Sequence, residues 1–184
     1  MAMQTLGLSD STPRTEGRLK SLFWPSIQNG SDVDYLGVQG YWLCAVVAVV
    51  AFLSSLAAGQ PILGVFVLLF YYLGGVGVRE HSRYAAAAVF VVYLIDMAVG
   101  AGIIRVIIAG VLFSNLRATW VAAGWNPESN EAIRPPRMGD SWSDRFTDKL
   151  PAWLWPKVRV LFYVLSIGLI LLSVVGAVAH FKNR

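Results

Sequence analysis

The feature that most constrains this chain is a stretch of about forty residues, Tyr84 to Ala123, that stays mostly apolar from end to end. As one straight helix it would run roughly 60 Å at ~1.5 Å per residue. That is about twice the ~30 Å hydrocarbon core of a bilayer. The stretch must therefore break into two spans or project far out of a membrane. Gly100-Ala101-Gly102 lies near its centre and predicts the break. The result is a tight hairpin, Ser82 to Val99 followed by Ile103 to Trp120, with a connection of ordinary length for packed helices.

Three further apolar runs flank this hairpin: Tyr41 to Ala58, Ile62 to Val78 and Lys157 to Phe181. Gly59-Gln60-Pro61 reads as a turn, and Pro61 suits the first position of the next helix. Arg79-Glu80-His81-Ser82-Arg83 reads as a charged loop. Hydrophobic residues make up 56% of the chain and charged residues 14%. An ordinary soluble domain carries ~25% charged residues, so that class is excluded. Disorder over most of the length is excluded too, because it requires low hydrophobicity. The expected fold is all-α: an integral membrane helical bundle of five transmembrane helices plus short interfacial helices on the cytoplasmic side.

The polar segments complete the layout. Residues 1–30 read as a cytoplasmic tail and interfacial segment, in which Arg18 to Pro25 mixes basic and bulky apolar residues suited to a membrane surface. Ser31, Asp32 and Asp34 suit a helix start, with an N-cap and acidic side chains at the positive end of the dipole. Residues 31–123 form the four-helix membrane region. Residues 124–156 form a cytoplasmic loop carrying an amphipathic interfacial helix, in which Trp142, Phe146 and Leu150 recur every fourth residue beside Asp144, Asp148 and Lys149. Residues 157–184 supply the last transmembrane helix and a short outer tail. No basic start leads directly into an apolar stretch as in a secretory signal, so the first run is expected to remain as an anchor.

Lysine and arginine placement sets the orientation. With five spans and a cytoplasmic N-terminus, Arg14, Arg18, Lys20, Arg79, Arg83, Arg117, Arg134, Arg137, Arg145, Lys149, Lys157 and Arg159 all lie inside. Lys182 and Arg184 lie outside, with Arg105 just within a helix. Four spans would put the most basic loop outside, against the rule. The five-span order also gathers all seven tryptophans on the cytoplasmic half: Trp24, Trp42, Trp120, Trp125, Trp142, Trp153 and Trp155. They read as interface anchors.

Asp96 and Arg105 are the ionisable residues well inside apolar runs. Each lies close to the Gly100–Gly102 turn, which brings them to similar depth on facing helices. Two readings stand: an ion pair that fixes the hairpin, or a site for an ion, proton or anionic ligand. Small residues at Gly74, Gly75, Gly77, Ala85 to Ala88, Ala98, Gly102, Ser173 and Ala177 mark close helix packing, within the chain or against another membrane protein. Ser54 and Ser55 have no base nearby and suit bonds to their own helix backbone. The single cysteine, Cys44, reads as a small buried apolar residue. His81 and His180 make neither a bis-histidine haem site nor a zinc motif. No metal, cofactor or catalytic residue is expected, and the +4 net charge falls in loops beside apolar runs rather than marking nucleic-acid binding. Pro135-Pro136, between two arginines, reads as a stiff linker or an extended docking segment.

Leu22-Phe23-Trp24-Pro25-Ser26-Ile27, followed by Gln39-Gly40-Tyr41-Trp42, resembles the opening of small uncharacterised bacterial multi-span membrane proteins. Arg79 to Tyr93, a charged loop leading into a small-residue helix, is similar as well. The resemblance covers about residues 20–120. It implies a bacterial inner-membrane protein and carries no activity or site residue with it. The functional expectation is an accessory or structural membrane protein that binds another protein, or a further copy of itself, at its cytoplasmic face or in the bilayer. The alternative is a small transporter or ion- or proton-coupled carrier using the Asp96/Arg105 hairpin.

Overall fold

The structure, a computed structural model, describes residues 24–27, 30–99, 102–124 and 142–182. The surface segment before Trp24, the Gly100-Ala101 pair, Trp125, Pro135-Pro136 and most of the long loop lie outside the described residues. Those described are helical throughout, apart from turns and the short Trp24–Ile27 segment. In chain order the long helices are α1 (Gly30–Ala57), α2 (Pro61–Arg79), α3 (Arg83–Val99) and α4 (Ile103–Ala123). A single helical turn, α5 (Trp142–Asp144), then leads through a π-helical turn (Arg145–Lys149) into α6 (Leu150–Lys182).

Among the described residues, four stretches, Asp32–Ala57, Pro61–Arg79, Ile103–Ala123 and Arg145–Gly176, are long and apolar enough to cross a membrane. The chain is thus a helical membrane protein. Helix α3 is shorter: its 17 residues rise about 26 Å.

Two of the turns share one physical design. After α1, Gln60 N–H donates to Ser55 O (2.9 Å) and Gly59 N–H to Leu56 O (3.0 Å). After α2, Ser82 N–H donates to Gly77 O (2.9 Å) and His81 N–H to Val78 O (3.0 Å). This is the Schellman pattern, which satisfies a helix's last carbonyls and needs a left-handed residue. Gly59 supplies it at φ 72°, but after α2 the residue is His81, at φ 55°. A side chain is rare there. Ser82 then caps α3, its Oγ accepting from Ala85 N–H at 3.4 Å.

Helix α2 is the central post. It packs on α1, α3 and α6, while α4 closes the group by packing on α3 and α1. Glycines at its Arg79 end make this possible. A β-carbon on Gly75 would stand 2.8 Å from Cys44 Cβ of α1. One on Gly77 would stand 2.6 Å from both Ala85 of α3 and the Trp155 ring of α6. One on Gly74 would overlap Val89. These small residues are filled from within the chain. On α6, Gly168 and Gly176 face open space. The core around α2 stacks Phe70 on Phe162 (centroids 5.5 Å apart) and sets Trp155 against Phe162.

The last helix differs from its sequence reading. It begins at Leu150 rather than Lys157, and the Trp142–Leu150 segment runs into it without a break. Pro151 has no N–H to offer Thr147 O four residues earlier, and that carbonyl accepts from Arg79 Nε instead. Pro156 lies inside the helix.

Candidate functional site

Arg79 ends α2 and reads from sequence as a loop cation; the structure corrects this. Its side chain is 1% exposed, the most voluminous among the fully buried ones. A guanidinium so far from water needs partners for its donors. Nη1 donates to Asp34 Oδ1 at 2.6 Å and Nη2 to Asp34 Oδ2 at 3.2 Å, a two-pronged pair with α1. Nε donates to Thr147 O at 3.0 Å and to Asp148 Oδ1 at 3.1 Å, and Nη2 also donates to Asp148 Oδ1. The forked geometry is what arginine, unlike lysine, can supply.

The two carboxylate acceptors come from segments 45 and 69 residues away. Asp34 is 24% exposed and Asp148 17%. The π-helical turn delivers the second: Leu150 N–H reaches back to Arg145 O, and the widened turn presents both the Thr147 carbonyl and Asp148 to one guanidinium. Such turns occur frequently at functional sites. His81 adds a further contact, its Nε2 lying 3.9 Å from Asp34 Oδ1. A β-carbon on Gly37 would stand 3.2 Å from that same nitrogen. The left-handed backbone at His81 thus aims an imidazole at the charge cluster.

Below the cluster α4 contributes buried Ser114, Asn115 and Thr119. Asn115 Nδ2 donates to Val111 O at 2.9 Å, and a β-carbon on Gly40 would stand 2.7 Å from Asn115 Oδ1. Helices α1 and α4 meet closely at this polar contact.

Aromatic and basic side chains surround the same end of the bundle. Arg117 lies over the Trp24 ring at 4.3 Å and donates to Pro25 O at 2.8 Å, fixing the Trp24–Ile27 segment to α4. Arg83 lies over Trp120 at 5.5 Å, and Lys157 Nζ lies over Trp153 at 3.8 Å. Trp42 and Trp142 are exposed, whereas Trp155 is half-buried in the core beside Gly77.

Asp96 and Arg105 face each other at the opposite end. Arg105 Nη1 lies 3.5 Å from Asp96 Oδ2 and donates to Asp96 O at 3.2 Å. The side chains are 43% (Arg105) and 61% (Asp96) exposed. Ser54 and Ser55 donate to Val50 O (2.8 Å) and Ala51 O (2.9 Å) of their own helix. Cys44 is fully buried. Among the described residues, no group of three or more His, Cys, Asp or Glu is placed to hold a metal ion.

The Arg79 cluster is the element that sequence reading misses. Asp34 reads as a helix-dipole partner and Asp148 as part of a polar face, and no local spacing connects either to Arg79. Chemically the cluster is a joint: it ties α1, α2 and the start of α6 together through one buried cation. No family model, curated protein or solved structure matches the chain.

Proposed function

We propose that this chain is a five-span bacterial inner-membrane protein with a non-catalytic, accessory or structural role. Its cytoplasmic face presents the segment before α6 to another membrane protein or to a second copy of itself. The observation that carries this reading is the buried Arg79, which holds that segment to α1 and α2 through Asp34, Asp148 and Thr147. A surface segment fixed in this way is ordered before any partner arrives, and pre-ordering lowers the cost of association.

Helix α3 supports the fifth span. It joins the Arg79 end of α2 to the Arg105 end of α4 through connections of three residues each and packs on both. A short span is accommodated by local thinning of the bilayer. Charge supports the orientation: Arg79, Arg83, Arg117, Arg145, Lys149, Lys157 and Arg159 share one end, against Arg105 and Lys182 at the other. The exposed Arg145, Lys149, Lys157 and Arg159 with exposed Trp142 and Trp153 suit an acidic partner surface bordering the membrane.

The test is site-specific photo-crosslinking in native membranes, with the reactive group at Trp142 or Arg145 and, for comparison, at Ile107. A discrete adduct from the first two positions, weakened by Arg79→Met, is the expected outcome. Equal adducts from all three positions, or none, refute the reading. A carrier built on Asp96 and Arg105 is the second reading. The placement of both residues at the rim of a cavity favours it, and solute flux abolished by Asp96→Asn would establish it.

A further inference from the structure

The half of the bundle away from Arg79 holds a cavity of about 680 Å³, bounded by parts of α1, α2, α3, α4 and α6. That volume lies within the ~300–1,000 Å³ of ordinary ligand pockets. Along α1 it extends from Val46 to Ser55, about 14 Å of helix rise, so it is long as well as roomy.

Its chemistry is graded along that length. Most of the lining is aliphatic and aromatic, and Phe70, Tyr71, Val92, Tyr93 and Leu169 are its buried members. The charged groups, Asp96 and Arg105, lie near the end of α3 and the start of α4, the level of the headgroups if this hairpin spans the bilayer. The hydroxyls of Ser54 and Ser55 are spent on their own helix, so they add little polarity. The cavity is also open to the side. Val50 on α1 and Leu172 and Val175 on α6 border it and are each more than half exposed. In a bilayer the neighbour on that side is an acyl chain, not water. An unfilled apolar space forfeits dispersion contacts along its whole lining, which a chain restores.

We propose that this cavity is a binding site for a zwitterionic phospholipid of the ethanolamine type, whose ammonium carries the N–H donors that the Asp96 carboxylate can accept and a quaternary headgroup lacks. One acyl chain fills the apolar part. The phosphate meets the Arg105 guanidinium, and the headgroup ammonium meets the Asp96 carboxylate. The two protein charges pair at 3.5 Å and both line the cavity, with side chains 43% (Arg105) and 61% (Asp96) exposed. A paired cation and anion there complement a headgroup carrying both signs better than a purely anionic one. The site rests on the reading that the α3–α4 hairpin crosses the membrane, and does not rest on the partner surface, which lies at the opposite end of the bundle.

Native mass spectrometry of the delipidated protein tests this. The protein is mixed with equal amounts of phosphatidylethanolamine and phosphatidylglycerol of identical chains. The expected result is one retained phosphatidylethanolamine per chain, preferred at least fivefold. Ala51→Trp and Ser173→Phe, which fill the cavity from α1 and α6, each cut retention about tenfold; either folded variant suffices. Asp96→Asn shifts the preference toward phosphatidylglycerol. Equal retention of the two lipids, retention unchanged in a folded cavity-filling variant, or no retained lipid overturns the proposal.

Discussion

Replacing Arg79 with methionine perturbs the structure at its most consequential polar contact. The substitution keeps much of the aliphatic volume and deletes the cation. Asp34 and Asp148, both bonded to the same Nη2, then face each other with little water, at 24% and 17% exposure. Removing one partner of a buried ion pair costs about 3–5 kcal/mol, because the remaining charge is stranded. Against a whole-protein stability of about 5–15 kcal/mol, that is a large fraction. Arg79→Lys keeps the charge but cannot bridge three acceptors in a fork, so the expected loss is about 1.5–3 kcal/mol, one charged hydrogen bond. The triple variant Arg79→Met, Asp34→Asn, Asp148→Asn strands no charge and is expected to be more stable than Arg79→Met alone. The assay is reversible unfolding in mixed micelles, with Arg159→Met as the exposed comparison, expected within about 0.5 kcal/mol of the parent. If Arg79→Met behaves like Arg159→Met, or the triple variant is no better than the single one, the buried-joint reasoning fails.

Other outcomes follow from the same physics. His81→Ala is expected to be less stable than His81→Gly by about 1 kcal/mol, measured in the same unfolding assay, because only glycine takes the left-handed turn without strain. Both variants lose the imidazole, so their difference isolates the backbone. Gly75→Val is expected to abolish accumulation in the membrane by driving α1 off α2; Gly168→Ala, in open space, is expected to leave accumulation unchanged or raised, as quantified by immunoblot. For Asp96 and Arg105, a double-alanine cycle is expected to give a coupling of about 0–1 kcal/mol, as for exposed pairs. A coupling of several kcal/mol would mean that the bilayer buries the pair.

The elements were legible where one physical rule dominated. The excess length of Tyr84–Ala123 over a bilayer requires a break, and α3 ends at Val99 while α4 begins at Ile103. Gly59-Gln60-Pro61 marked its turn because glycine and proline have few alternative uses there. Pro151 and Pro156 read as loop residues, which sets the start of α6 too late; in the structure the carbonyl that Pro151 leaves without a helix donor, Thr147 O, accepts from Arg79 instead. The Arg79 cluster was illegible for a different reason. Burial of a cation depends on which distant segments fold over it, and Asp148 is 69 residues away.

The central claim is that the joint end of a five-span bundle faces the cytoplasm, and compartment reporters test it most directly. Fusions after Gly59, within the Asn126–Gly139 segment and at Arg184 are predicted to read outside, inside and outside. A loop fusion reading outside would contradict the span count, the orientation and the cytoplasmic partner surface together.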